Sequence, residues 1–271
     1  MSGPSPSERY EIPGPRRAIR AVRFAPAAPV RRVLYVHGYG EHKEMLNYRL
    51  LSQALLAAGV ELHGFDLPGH GEERELPNRW APLRDDMRAV YEHVRPDAVI
   101  GLSLGAVVVL DWAIHSGATT PLITVGAPLG KVGVSPAILL LGKLLSLIAP
   151  GANLSPKLGV RDVSRDRELV DTYLADPLFH QRATGPALEE FFHIASQVRR
   201  SAASIQAPLL MLHGDADTLA RPHPHFLDRT SSPRRERILY PGARHNLFLE
   251  TNREQVFADI LRFLHVRRIG S

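Results

Sequence analysis

Apolar and polar residues form two kinds of pattern along this chain, one typical of strands and one typical of helices. Short apolar runs rich in β-branched residues predict strands at Val33–Val36, Val60–Phe65, Ala98–Gly101, Leu122–Val125, Leu209–Leu212 and Arg237–Tyr240. Apolar residues at helical spacing predict helices between them, at Leu46–Ala58, Leu83–Val94, Leu104–His115, Pro186–Val198 and Glu254–Leu264. Buried strands that alternate with helices indicate an α/β fold, with a mostly parallel sheet covered by helices on both faces.

Two segments depart from this alternation. Ile19–Phe24 alternates between apolar and polar residues after a Pro13-Gly14 turn, which is typical of an antiparallel edge strand. The stretch between Val125 and Leu209 is far longer than one crossover helix requires. We therefore expect a core formed by residues 1–128 and 185–271, interrupted by an insertion over residues 129–184.

One serine lies where a parallel sheet would present a nucleophile. Gly101-Leu102-Ser103-Leu104-Gly105 directly follows a predicted strand and leads into a predicted helix. This is the context of the Gly-x-Ser-x-Gly elbow, in which glycines permit a strained turn that projects the serine hydroxyl above the sheet. Ser103 is the candidate nucleophile, and the alternative is a helix-capping serine.

A serine nucleophile needs a histidine base and a carboxylate that orients it. His245 lies in the loop between the last predicted strand and the last helix, and Asp215 and Asp217 close the preceding strand. With Asp217 the order along the chain is serine, acid, histidine, as in α/β-hydrolases. After an earlier strand, His37-Gly38-Tyr39-Gly40 could supply an oxyanion hole from the backbone N–H groups of Tyr39 and Leu104.

Composition and charge exclude several other functions. The absence of cysteine removes thiolate nucleophiles and cysteine-ligated metal sites, and we expect neither a metal nor another cofactor. The net charge of +5 comes from scattered arginine pairs, so we expect no nucleic-acid partner. The N-terminus lacks the basic start and apolar stretch of a secretory signal, and we expect a cytoplasmic protein without a transmembrane segment.

Several motifs together resemble the monoacylglycerol lipase/lysophospholipase branch of the α/β-hydrolase superfamily. They occur in order as His37–His42, Phe65–Gly71, Gly101–Gly105, Ser164–Asp166 with Leu174–His180, Leu212–Asp217 and Tyr240–His245. The resemblance implies the α/β-hydrolase fold, Ser103 as nucleophile, His245 as base, and Asp217 rather than Asp215 as acid. It also implies that the insertion forms a helical lid. Two positions depart from the family pattern: Leu102, where such lipases usually carry histidine, and Glu72-Glu73, near which the family commonly has serine.

The predicted lid contains the most apolar stretch of the chain, between Pro136 and Pro150. This stretch is too short to span a bilayer, which takes about 20 apolar residues. On a helix, the small and polar residues share one narrow stripe (Gly142, Lys143 and Ser146), and the apolar surface is unusually wide. We expect three of its residues to line an acyl-chain site: Ile138, Leu141 and Leu145. The alternative is a fully packed helix without ligand contact.

The expected function is the hydrolysis of a small-molecule acyl ester by a Ser-His-Asp triad. The same triad would also suit an aminopeptidase, an acyltransferase or a carbon–carbon bond hydrolase, and the fold could serve as a non-catalytic receptor for small molecules. The predicted lid contains no carboxylate cluster suited to a peptide amino terminus, which disfavours the peptidase. Weak contact of the lid leucines with a lipid surface is a further expectation. Acyl-chain length, head group and oligomeric state stay open.

Overall fold

A sheet of eight strands forms the centre of the computed structural model, which describes residues 6–73, 75–156 and 158–266. Counting both this sheet and a separate two-stranded pair, the strands of the described residues in chain order are β1 (Glu8–Pro13), β2 (Ala18–Phe24), β3 (Arg31–Val36), β4 (Val60–Phe65), β5 (Ala98–Leu102), β6 (Leu122–Val125), β7 (Asn153–Leu154), β8 (Ala183–Thr184), β9 (Leu209–Gly214) and β10 (Arg235–Tyr240). The large sheet has the order β1-β2-β4-β3-β5-β6-β9-β10, while β7 and β8 pair separately.

Six strands of the large sheet, from β4 to β10, run parallel, and β1 and β2 are antiparallel additions at one edge. The mostly parallel sheet is confirmed, and β2 is antiparallel as predicted. It is not the edge strand that the sequence predicted, because β1 pairs with its other side. β1 was not predicted, because Ile12 is its one fully buried side chain and the other residues are polar, aromatic or proline. Its pairing with β2 is therefore invisible in the hydrophobic pattern.

Helices cover both faces of the sheet. They are α1 (Leu46–Ala57), α2 (Ala81–Val94), α3 (Leu104–Ser116), α4 (Pro136–Ile148), α5 (Arg167–Leu174), α6 (Gly185–Arg200) and α7 (Arg253–Phe263). One hydrophobic cluster packs α1, α5 and α7 on one face, and a second packs α2, α3 and α6 on the other. β4 and β9 are buried along their whole length because both of their faces are covered, and the polar side chains within them (Glu61, His63 and His213) are buried as well.

Residues 129–184, named the insert below, lie between β6 and α6 and contain α4, α5, β7 and β8. A bridge between Val132 and Ala220 joins the insert to the segment after β9. α4 packs on α6 through its small residues: a Cβ on Gly185 would lie 2.3 Å from the Gly142 carbonyl oxygen and 2.8 Å from Ser146 Oγ. No helix in the described ranges is both long enough and apolar enough to cross a membrane.

Candidate active site

The strand order reverses beside β3, which pairs with β4 on one side and with β5 on the other. Ligands of open parallel sheets bind beyond the carboxyl ends of the strands at such a point. The loop after β3 begins at His37, and Ser103 directly follows β5. These two loops are close neighbours, because a Cβ built on Gly38 would lie 3.5 Å from Ser103 Cβ.

Ser103 occupies a strained turn between β5 and α3. Its backbone has φ 52° and ψ −113°, a conformation that costs a non-glycine residue about 1–3 kcal/mol. The flanking glycines are required by close approach: a Cβ on Gly101 would lie 2.6 Å from the Gly105 carbonyl oxygen, and one on Gly105 would lie 2.2 Å from that of Val36. The sharp turn that the sequence predicts is therefore present.

A hydrogen-bonded chain links the three side chains of the predicted triad. His245 Nε2 lies 2.9 Å from Ser103 Oγ, and His245 Nδ1 lies 2.8 Å from Asp217 Oδ2. Gly126 makes room for the histidine, since a Cβ there would lie 3.1 Å from its ring. Burial lowers the pKa of His245, but the charge and hydrogen bond of Asp217 and the charge of Glu41 outweigh it and raise that pKa above its usual value.

The two candidate carboxylates have different surroundings. Asp217 is fully buried; burial opposes its ionisation, but the charge of His245 and the hydrogen bonds from His213 and His245 hold its pKa well below the usual range. Asp215 is exposed and accepts a hydrogen bond from the Gly242 backbone N–H at 2.6 Å. Of the two, Asp217 is the carboxylate that contacts the histidine.

Buried side chains hold the loop that contains the predicted oxyanion donor Tyr39. His37 Nδ1 donates to the Gly38 carbonyl oxygen, and His37 Nε2 accepts from the Leu67 backbone N–H. Burial lowers the pKa of His37 to about 3, so its ring is neutral and suits both bonds. Within the described residues, no hydrogen bond uses the backbone N–H of Tyr39 or Leu104, and both groups remain available to a ligand.

Glu41 connects this loop to three other parts of the structure. Its Oε2 accepts from the Gly38 backbone N–H at 2.8 Å. Its Oε1 accepts from the Tyr173 hydroxyl at 2.8 Å, Asn47 Nδ2 at 2.9 Å and Asn246 Nδ2 at 3.3 Å. Burial raises the pKa of Glu41, although the hydrogen bonds from Gly38, Tyr173 and Asn47 and the charge of His245 favour the carboxylate. One buried carboxyl group thus joins the β3 loop, α1, α5 and the histidine loop.

A largely apolar cavity opens at Ser103, bounded by the sheet on one side and by the insert on the other. The residues of the insert that line it include Val132, Val134, Leu158, Val160, Tyr173 and Arg182. The lining does not include Ile138, Leu141 or Leu145, which contradicts the prediction that these three residues line an acyl-chain site. The reason is the orientation of α4, which turns its small-residue stripe toward α6 and leaves most of its leucines exposed.

Three polar atoms of cavity-lining residues lack partners among the described residues: the Tyr39 hydroxyl, His70 Nε2 and Asn246 Oδ1. His70 Nδ1 lies 2.9 Å from the Pro68 carbonyl oxygen and carries the hydrogen, because a carbonyl can only accept. Burial lowers the pKa of His70 to about 3, so Nε2 presents a lone pair. In the described part of the chain, no group of three histidine or carboxylate side chains is placed to hold a metal ion.

Sequence reasoning missed three features of this site. The links of Glu41 to Tyr173 and Asn246 join residues 132 and 205 positions apart, which no local pattern reveals. No local pattern indicated that the Tyr39 hydroxyl and His70 Nε2 would be buried without partners among the described residues. His213, near the carboxyl end of β9 and four residues before Asp217, contacts that aspartate; its place at a strand end was the one available signal.

The sequence profile described as "Serine aminopeptidase, S33" matches residues 27–252. A monoacylglycerol lipase of Mycolicibacterium smegmatis is 30% identical over 246 residues, which cover 86% of this chain and 87% of that protein. The crystal structure of Paleococcus ferrophilus monoacylglycerol lipase superposes with a TM-score of 0.81 at 26% identity, covering 91% of this chain and 98% of that one. A soluble variant of Saccharomyces cerevisiae monoglyceride lipase shares the fold, with a TM-score of 0.85 at 20% identity and 98% of both chains covered.

Proposed function

We propose that this carboxylic ester hydrolase, which belongs to the S33 serine aminopeptidase family of α/β-hydrolases, cleaves monoacyl esters of small polyols. Within that family the chain lies in the monoacylglycerol lipase-like branch. The proposed catalytic residues are Ser103, His245 and Asp217. The observation that carries the proposal is the hydrogen-bonded chain of these three side chains at the opening of an apolar cavity. Such a chain is the arrangement that acyl transfer to serine requires.

In the proposed reaction, Ser103 Oγ attacks the ester carbonyl carbon while His245 Nε2 takes its proton. Asp217 holds the imidazole with its hydrogen on Nδ1 and stabilises the imidazolium that forms. The backbone N–H groups of Tyr39 and Leu104 donate to the developing oxyanion. His245 then protonates the leaving alcohol, and water attacks the acyl-enzyme with His245 again acting as base, which releases the fatty acid.

The composition of the cavity supports a substrate with an apolar and a polar part. Its many aliphatic and aromatic side chains suit an acyl chain, for which burial contributes about 0.8 kcal/mol per methylene. The Tyr39 hydroxyl and His70 Nε2 are buried without partners, which is costly unless a ligand supplies a polar group. A hydroxyl of a polyol can donate to His70 and accept from Tyr39.

The Tyr39→Phe variant tests this choice of substrate. It retains the backbone N–H of residue 39 and removes only the hydroxyl. We expect kcat/KM for a monoacylglycerol to fall about 5-fold to 10-fold, the equivalent of one hydrogen bond, and kcat/KM for the matching simple alkyl ester to stay within about 2-fold. Steady-state kinetics on both esters, over a series of acyl-chain lengths, measure the ratio.

Tyr240→Phe is the matched control, since this buried tyrosine donates to Asp259 on α7. We expect it to leave the preference between the two esters unchanged. An equal loss on both esters in Tyr39→Phe would contradict recognition of a hydroxyl by Tyr39, without affecting the proposed triad.

The aminopeptidase alternative is disfavoured by the charges around the cavity. Among the described lining residues Glu41 is the one carboxylate, and it already accepts four hydrogen bonds, whereas Arg79 and Arg182 supply positive charge. A peptide amino terminus would lack a counter-charge there. Faster turnover of aminoacyl p-nitroanilides than of monoacylglycerols would favour the peptidase, and tight product retention after a single turnover would favour a receptor.

We further propose that the insert, residues 129–184, acts as a lid that touches lipid surfaces. Leu140, Leu147 and Ile148 on α4 are 70%, 77% and 70% exposed. Moving each side chain from water into an apolar interface would contribute about 1–2 kcal/mol.

Replacing all three residues with serine should reduce co-sedimentation with phosphatidylcholine vesicles at least about 10-fold, with hydrolysis of a soluble short-chain ester unchanged. Leu239→Ser, at an exposed leucine of β10, serves as the control and should leave vesicle binding unchanged. Failure of the unaltered protein to co-sediment at low salt would contradict the lipid contact.

A further inference from the structure

A second histidine contacts the proposed catalytic carboxylate. His213 lies near the carboxyl end of β9 and is 3% exposed. Its Nε2 is 2.6 Å from the Ala220 carbonyl oxygen and 3.0 Å from Asp217 Oδ2. Because a carbonyl oxygen can only accept a hydrogen bond, Nε2 carries a hydrogen. The single Nε2–H is therefore shared: its shorter contact is with the Ala220 carbonyl oxygen, and Asp217 Oδ2 lies at the longer distance.

The two oxygens of Asp217 have different partners. Oδ1 accepts from the backbone N–H groups of Leu219 at 2.8 Å and Ala220 at 3.0 Å. Oδ2 faces His245 Nδ1 at 2.8 Å and His213 Nε2 at 3.0 Å. The two backbone amides orient the carboxylate without help from His213. What His213 adds is a second donor on the oxygen that His245 uses.

A donor on a carboxylate oxygen stabilises its negative charge and weakens its attraction for another proton. Asp217 and Glu41 are the titratable groups that act on His245, while His245 and His213 are those that act on Asp217. Glu41 lies on the loop after β3 and has no contact with His213 among the described residues. Replacing His213 therefore changes the Asp217 contribution and leaves that of Glu41 in place.

We propose that His213 is a positioning residue that acts through Asp217. Its Nε2–H weakens the attraction between the Asp217 carboxylate and the imidazolium form of His245. His245 therefore stays neutral, and able to act as base, at a lower pH than Asp217 alone would allow. This inference rests on the proposed function, because it requires Asp217 and His245 to act as acid and base. It predicts an effect on the pH dependence of the reaction as well as on its rate.

Variants with and without a donor separate this role from a purely structural one. His213→Leu and His213→Met fill the space with apolar atoms, whereas His213→Gln retains a side-chain N–H. In kcat/KM for a p-nitrophenyl ester, the acidic limb reports the protonation of His245 in the free enzyme. In the two apolar variants we expect the acidic limb to move up by about 0.5–1 pH unit, so that kcat/KM at pH values below the limb falls about 3-fold to 10-fold. In His213→Gln we expect the limb to stay in place.

His63→Leu controls for the loss of a buried histidine from a central strand, since His63 contacts Tyr10 and Glu61 on the β1–β2–β4 side of the sheet. It should leave the limb unchanged. NMR titration of His245 in the Ser103→Ala background provides a readout without turnover, and the His245 pKa should rise in the donor-free variants. Thermal unfolding identifies any variant that does not fold, and the remaining donor-free variant then carries the comparison.

An acidic limb that stays within about 0.2 unit, or moves down, in a folded donor-free variant would overturn the role of His213. That result differs from failure of the proposed function. If the triad were wrong, the unaltered protein would show no Ser103-dependent hydrolysis, and its acidic limb would not follow the NMR titration of His245.

Discussion

Replacing Ser103 with alanine is expected to lower kcat for a p-nitrophenyl ester by about 10⁴-fold to 10⁶-fold. Ser103 Oγ lies 2.9 Å from His245 Nε2, which makes it the nucleophile of the proposed mechanism. Alanine removes the attacking oxygen and leaves the elbow glycines and the backbone donors of Tyr39 and Leu104 unchanged. A small residual rate above that in water should persist, because those donors still stabilise an oxyanion formed by attack of water.

Two measurements check this result. Steady-state hydrolysis gives the loss in kcat, and labelling by a fluorophosphonate probe should disappear in the same variant. Ser116→Ala at the other end of α3, where the hydroxyl donates to the Trp112 carbonyl oxygen, should retain both properties. Full esterase activity of Ser103→Ala, or probe labelling at another residue, would remove Ser103 from the mechanism.

The second large effect is expected for Asp217→Asn, with a loss of about 10⁴-fold in kcat near neutral pH. Asp217 Oδ2 accepts the Nδ1 hydrogen of His245, and this leaves the lone pair of Nε2 directed at Ser103. An asparagine can offer an amide N–H at that position and favour the other imidazole tautomer, whose Nε2–H cannot accept the serine proton. The loss should appear in kcat with KM little changed, because the substitution alters the base and leaves the cavity wall intact.

Asp215→Asn is the matched control two residues away. Its carboxylate is exposed and accepts from Gly242 N–H, so we expect activity within about 3-fold of the unaltered protein and a stability loss of about 1 kcal/mol. Circular dichroism and thermal unfolding establish that both variants fold. Equal activity of the two variants would contradict the assignment of Asp217 as the acid.

Local sequence patterns predicted most of the fold because they reflect local physical constraints. Strands buried on both faces are mostly apolar, so β3, β4, β5, β6 and β9 were recognisable without any tertiary information, although β4 also buries Glu61 and His63. The elbow was recognisable for a similar reason, since the approach of Gly101 to Gly105 and of Gly105 to Val36 excludes a Cβ. β1 was not predicted because a strand with one buried side chain shows no alternation of apolar and polar residues.

Prediction of the candidate site was less complete. The geometry brings together the three predicted triad residues, and Ser103 and His245 were inferred from their places beyond strands. Hydrophobic spacing could not say which side of α4 faces the protein, because apolar residues cover most of that helix. The assignment of Ile138, Leu141 and Leu145 to the cavity was wrong for that reason, while Val132 and Val134, in a short irregular segment, line it.

The sequence by itself determined the α/β architecture, the elbow and the order of serine, acid and histidine along the chain, because each depends on residues adjacent in sequence or on a repeating period. Only the tertiary structure decided which contacts the buried polar groups make. Glu41 meets Tyr173 and Asn246, His213 meets Asp217, and His70, whose Nε2 is buried without a partner among the described residues, lies in the cavity wall. These contacts depend on side-chain direction and on how distant segments pack, and neither leaves a periodic trace in the sequence.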